Sequence, residues 1–224
     1  MAVYVLIHGG NISTDTWNRL TKRNDYPSGG HLGNKYWDGT VAALRAHHHR
    51  VFAPELKDEN ICNLTGHIEQ ISTLIKKNDL GHIILTGHSY GGMVITGVAD
   101  KMVDRIGRLV YVDAALPDPG QSLFDLLYLG LSSASCEKPF LPEMAAAYME
   151  KLQFDPEKLK PLPKTYLRCT NSEFKDVTRL AEQKITSEKH GWTYVELPSS
   201  HVPMADMPDA FYQLMLDQTS LLDC

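Results

Sequence analysis

The stretch Leu85–Ile95, LTGHSYGGMVI, decides how this chain is read. It begins as the end of an apolar run, HIILT, and passes through GHSYG into an apolar helical pattern, MVITGVADKMVDRI. Residues Gly87–Gly91 fit G-x-S-x-G, in which a serine sits in a strained strand-to-helix turn that lifts its hydroxyl above a sheet. Side chains at Gly87 and Gly91 would collide with the neighbouring strand and helix at so sharp a turn, which accounts for the glycines. The five-residue pattern alone carries little weight. The strand before it and the helix after it are what the turn requires, and they make Ser89 a candidate nucleophile rather than a turn residue.

A neutral serine is a weak nucleophile, so a histidine must take its proton and a carboxylate must orient that histidine. Of the ten histidines, His201 lies just after an apolar run and before a C-terminal helical pattern, in TYVELPSSHVPMADMPDAF, the place where a general base is expected after the last strand. His8 ends the first strand, where backbone packing is the expected role. His47, His48 and His49 end a helical pattern and point to different faces, so they read as a solvated helix end rather than as a metal site. His31, His67, His82, His88 and His190 have no matching context. Acyl chemistry also needs backbone N–H groups aimed at the developing oxyanion, and the pattern assigns these to Tyr90, which follows the serine, and Gly10, in LIHGGN after the first strand.

Strand candidates are Val3–Ile7, Arg50–Pro54, His82–Thr86, Arg108–Asp113, Thr165–Cys169 and Thr193–Leu197. Between them, Trp37, Val41 and Leu44 recur at helical spacing, as do Leu64, Ile68, Ile71 and Ile75, and later Phe211, Leu214 and Met215. This βα alternation predicts an α/β protein with a mostly parallel sheet and helices on both faces. Lys22–Lys35, polar and glycine-rich, reads as a surface loop. Residues 116–163 begin and end near prolines, carry an expected helix around Glu143–Leu152, and read as a short lid between two strands.

The length of 224 residues suits one domain spanning residues 1–224. A net charge of −5 gives no basic surface for nucleic acid. No run approaches the roughly 18 apolar residues that span a bilayer, and MAVYVLIHGG reaches a strand without the basic segment of a secretory signal, so no membrane partner and a cytoplasmic location are expected. Cys62, Cys136, Cys169 and Cys224 are widely spaced and read as free thiols.

VLIHGG, GHSYGG, LVYVDAALPDPGQS and SSHVPM together resemble the α/β-hydrolase superfamily. More narrowly, they are similar to the small esterases grouped with plant methylesterases and hydroxynitrile lyases. The likeness runs over nearly the whole chain, with the first strand of that fold reduced or absent, and is weakest over Lys22–Lys35 and the lid. It implies that the acid usually follows the strand that here reads KTYLRCT, but the chain continues NSEFKD, with Ser172 in that place, Glu173 beside it and Asp176 farther on. Some members carry the acid after the preceding strand. Asp113, 24 residues beyond Ser89, ends that strand, so Asp113 is preferred, with Glu173 as the alternative acid and Asp176 third.

The resemblance further implies carboxylesterase chemistry on a small-molecule ester or lactone, with no metal and no organic cofactor. Hydroxynitrile lyases of similar sequence use a lysine after the catalytic histidine and a threonine after the first-motif histidine. Val202 and Gly9 stand there instead, which disfavours cyanohydrin cleavage. A ligand-binding protein on the same fold is the other alternative. Phe124, Leu127, Tyr128, Phe140, Met144 and Tyr148 are possible pocket lining, with lid core as their plainer role.

Overall fold

The computed structural model describes residues 1–10, 12–132, 145–188 and 191–221. Each expected strand is present within two residues of its expected ends: β1 Val3–Ile7, β2 Arg50–Phe52, β3 Ile83–His88, β4 Ile106–Val112, β5 Lys164–Cys169 and β6 Trp192–Leu197. All five pairings are parallel, in the order β2-β1-β3-β4-β5-β6. Between β1 and β3 the strand order reverses, so the loops leaving these two strands diverge and open a crevice at their carboxyl ends. The GHSYG turn and the HGG turn both lie at that crevice.

Alternation along the strands divides the core into two layers. Val5, Ile7, Leu85, Leu109 and Tyr111 face one side, where α3 (Leu64–Lys77), α4 (Gly91–Lys101) and α8 (Lys175–Ser187) cover them. Tyr4, Leu6, Ile84, Val110 and Leu167 face the other, under α2 (Asp38–Ala46) and α10 (Pro208–Asp217). The predicted stripes are the buried faces: Leu64, Ile68, Ile71 and Ile75 on α3, and Phe211 and Met215 on α10. Among the described residues no helix is long and apolar enough to cross a membrane.

Two connections differ from the expected pattern. A short helix, α1 (Thr14–Thr21), precedes the polar stretch and is capped by the Ser13 hydroxyl, which accepts from the Thr16 N–H. The end of that stretch turns inward, and Tyr36 and Trp37 are fully buried in a 3-10 turn over Gly33–Trp37. The insert after β4 carries α5 (Leu123–Ser132), α6 (Ala146–Met149) and α7 (Pro156–Leu159). The helix expected over Glu143–Leu152 is therefore shorter where it is described, and 143–144 lie outside the described residues. No helix was expected at α5, whose run LFDLLYLGLS is too apolar to show a face; a reciprocal cap starts it, the Ser122 hydroxyl accepting from the Asp125 N–H and the Asp125 carboxylate from the Ser122 N–H.

Candidate active site

Sheet register brings the first two groups together. His88, the last residue of β3, is level with Val112, the last of β4. The residues that follow, Ser89 and Asp113, therefore leave the sheet side by side, and both have left-handed backbones, with φ of 57° and 43°. A non-glycine residue in that region carries strain of about 1–3 kcal/mol, so the surrounding contacts must hold it. At Ser89 they do: its N–H donates to the Val112 carbonyl, while its carbonyl accepts from Gly92 and Ala115. A Cβ on Gly87 would lie 2.5 Å from the Gly91 carbonyl oxygen, and one on Gly91 2.7 Å from that of Ile7, so helix and strand close on the turn as expected.

His201 follows β6 in a loop whose preceding N–H, that of Ser200, donates to Asp206 in α9 (Pro203–Asp206). Its Nε2 lies 2.9 Å from the Ser89 hydroxyl and its Nδ1 2.7 Å from Asp113 Oδ2. In the neutral ring Nδ1–H donates to the carboxylate, which leaves Nε2 to accept the serine proton. Asp113 is fully buried and accepts two further hydrogen bonds, from the Cys169 N–H at 3.0 Å and from the Ser172 hydroxyl at 2.5 Å. Glu173, the other candidate acid, is exposed; its carboxylate faces the backbone N–H of His201 at 3.4 Å rather than the ring. Asp176 sits in the first turn of α8.

The HGG turn lies against the serine: a Cβ on Gly9 would come within 2.5 Å of the Ser89 Cβ. Its peptides are held from both sides. The Gly9 N–H donates to the Tyr36 hydroxyl at 2.5 Å, and His8 Nδ1 meets the Gly9 carbonyl at 2.8 Å while its Nε2 accepts from the Leu56 N–H. Carbonyl and N–H of a trans peptide point opposite ways, so fixing the Gly9 carbonyl also fixes the direction of the Gly10 N–H.

His88 was given no role in the sequence. Its ring is buried, 4.6 Å from the His201 ring, with Nε2 2.7 Å from the His201 carbonyl and Nδ1 3.0 Å from the Tyr36 hydroxyl. Burial, and then the neighbouring His201, push its pKa well below the usual histidine value, while burial pushes that of Tyr36 well up. Both are neutral, so the donor directions are determined: His88 Nε2–H to the carbonyl, and Tyr36 O–H to His88 Nδ1.

Of the residues named as possible lining, Tyr148 is buried with its ring 4.9 Å from that of Tyr90 and its hydroxyl 3.3 Å from Glu59. Leu127 is buried, Phe124 packs on Tyr128, and Tyr128 is exposed. Phe140 and Met144 lie outside the described residues, as do Cys136, Cys224 and His190. Cys62 and Cys169 carry free thiols.

Residues 4–214 match the model of the alpha/beta hydrolase family. The chain belongs to that family. It is similar to the carbendazim hydrolyzing esterase of Nocardioides sp. (strain SG-4G), with 38% identity over an alignment of 158 positions that covers 66% of this chain and 53% of that protein. It is also similar to the putative chloroplastic methylesterase 11 of Arabidopsis thaliana, 27% identical over an alignment of 110 positions that covers 45% of this chain and 28% of the relative. The chain thus spans about half the length of the first of these curated relatives, and less of the second. Among solved structures, an extracellular alpha/beta-hydrolase from a Paenibacillus species, described as sharing structural and functional homology with tobacco Salicylic Acid Binding Protein 2, superposes with a TM-score of 0.71. That match has 24% identity and covers 97% of this chain and 98% of the other, a likeness of fold.

Proposed function

We propose that this alpha/beta hydrolase is a serine carboxylesterase that cleaves small to medium esters or lactones through an acyl-enzyme on Ser89. The observation that carries this reading is the unbroken line Ser89 Oγ, His201 Nε2, His201 Nδ1, Asp113 Oδ2, with contacts of 2.9 and 2.7 Å. His201 takes the Ser89 proton as the hydroxyl attacks the ester carbonyl, and Asp113 holds the ring in the tautomer that leaves Nε2 free to do so. The N–H groups of Gly10 and Tyr90 receive the developing oxyanion. The Gly9 N–H is engaged by Tyr36, so the next amide is the donor that the HGG turn offers. His201 then returns the proton to the leaving alcohol, and a second cycle with water frees the acid.

Relatives named as esterases support an ester as substrate. Transfer of the acyl group uses only side chains, backbone amides and water, so the reaction as written calls for no metal or organic cofactor. A fluorophosphonate probe tests the reading: Ser89 becomes labelled, and Ser89→Ala loses both labelling and turnover of p-nitrophenyl esters. Wild-type protein that neither reacts with the probe nor hydrolyses any ester of such a panel would instead be a binding protein on this fold.

A further inference from the structure

The two halves of the site come from distant segments. The HGG turn leaves β1, and His201 stands on the loop after β6, with three strands between β1 and β6 in the sheet. A continuous set of directed hydrogen bonds joins them beneath Ser89: Gly9 N–H to the Tyr36 hydroxyl, Tyr36 O–H to His88 Nδ1, and His88 Nε2–H to the backbone carbonyl of His201. Tyr36 and His88 are both buried, and Tyr36 and Trp37 flank the His88 ring with centroids at 5.3 and 6.3 Å. Neither residue contacts the position of a reacting carbonyl in this arrangement; each acts through a backbone group of its neighbour.

We infer that Tyr36 and His88 are positioning residues, a polar tie that holds the loop of the general base and the turn of the oxyanion donor at one height above Ser89. The inference rests on the esterase reading. The geometry gives each partner a separable part. His88 must accept at Nδ1 and donate at Nε2 at the same time, which only the neutral imidazole does. Asparagine places an acceptor near the position of Nδ1 and nothing at Nε2, whereas glutamine reaches the position of Nε2 with an N–H. A neutral ring here also adds no positive charge beside His201 as that ring takes up its proton.

The test is steady-state hydrolysis of a p-nitrophenyl ester by the full chain and by His88→Asn, His88→Gln and Tyr36→Phe, with thermal unfolding recorded for each. Loss of the tie shifts the base by a fraction of an ångström, for which kcat is expected to fall about 10- to 100-fold in His88→Asn with KM nearly unchanged. His88→Gln, which keeps the bond to the His201 carbonyl and loses only the one to Tyr36, is expected to lose about as much as Tyr36→Phe and less than His88→Asn. Tyr36→Phe lowers kcat alone but adds little to His88→Asn, because the two act as one unit.

Equal kcat in His88→Asn and wild type, equal losses in the asparagine and glutamine variants, or independent additive losses would overturn the tie. Should His88→Asn fail to fold, the conservative Tyr36→Phe variant decides: an unchanged kcat overturns the inference and a lowered kcat at constant KM supports it. A wild type that does not react with fluorophosphonate overturns the esterase reading and this inference with it, whereas a labelled wild type with an indifferent His88→Asn overturns this inference alone.

Discussion

The Ser172 hydroxyl and His201 Nδ1 converge on one oxygen of Asp113, Oδ2, at 2.5 and 2.7 Å. Ser172 thus stands where relatives of this kind are expected to carry their acid, and it supports the carboxylate on the neighbouring strand instead. Asp113→Asn is expected to lower kcat by roughly 10³- to 10⁴-fold, since an amide no longer stabilises the imidazolium and holds the wrong tautomer. Glu173→Gln should change kcat by no more than about two- to three-fold, because that carboxylate faces a backbone N–H. Comparing kcat for the two variants on one ester assigns the acid, and a larger loss in Glu173→Gln would move it.

Moving the carboxylate is a sharper test. Ser172 Oγ is 3.4 Å from His201 Nδ1, so an aspartate there can reach the ring. Ser172→Asp alone sets two carboxylates against each other in a buried place and should lower both stability and activity. The double variant Asp113→Asn/Ser172→Asp should be at least about ten-fold more active than Asp113→Asn, read as kcat. No gain would mean that the loop after β5 cannot hold an acid at a useful angle.

Acid sensitivity follows from the buried histidines. Burial is the largest cause lowering the pKa of His8, His67 and His88 below 6.5. The folded state therefore binds fewer protons than the unfolded chain once pH falls below about 6.5, and stability is lost from there downward until each lowered pKa is passed. The slope contributed by one such histidine reaches at most about 1.4 kcal/mol per pH unit. Chemical denaturation at pH 7.5, 6.5 and 5.5 should give a falling free energy of unfolding, with a shallower fall in His88→Gln. A flat profile would contradict the neutral, buried state of these rings.

The turn itself predicts a steric failure. A methyl on Gly91 would meet the Ile7 carbonyl oxygen at 2.7 Å, an atom of the sheet that cannot rotate away. Gly91→Ala is expected to cost about 1–3 kcal/mol, measured as a lowered denaturant midpoint at constant slope. Probe labelling of Ser89 should slow in parallel, because relief of the clash displaces the turn.

Much of this arrangement was legible in residue order. Strands showed as short apolar runs, and Ser89, His201 and the HGG turn lie at their carboxyl ends, where local pattern and position in the sheet coincide. Other parts were hidden for physical reasons. Tyr36 was given no role, because a hydroxyl bonded to groups at positions 9 and 88 has no local signature. Helix α5 was missed because exposed Tyr128 and Leu129 stand beside buried Leu123, Leu126 and Leu127, so apolarity along the run does not mark the buried face. His88 belongs to the very motif that was read first, yet its two partners lie 52 and 113 residues away.

The left-handed pair Ser89 and Asp113 carries a consequence for how this scaffold tolerates change. Both residues, the nucleophile and acid of the proposed reaction, are launched from paired strands, so their spacing is set by the interstrand hydrogen bonds of β3 and β4, about 4.8 Å apart, and not by any loop. A long segment, residues 116–163, begins just past Asp113 and can vary in length and sequence without stretching that spacing. An acid carried after β5 would have placed that whole segment between the two groups. In the proposed reaction both groups lie upstream of the insert, so a change in the insert's length leaves their spacing as the sheet sets it.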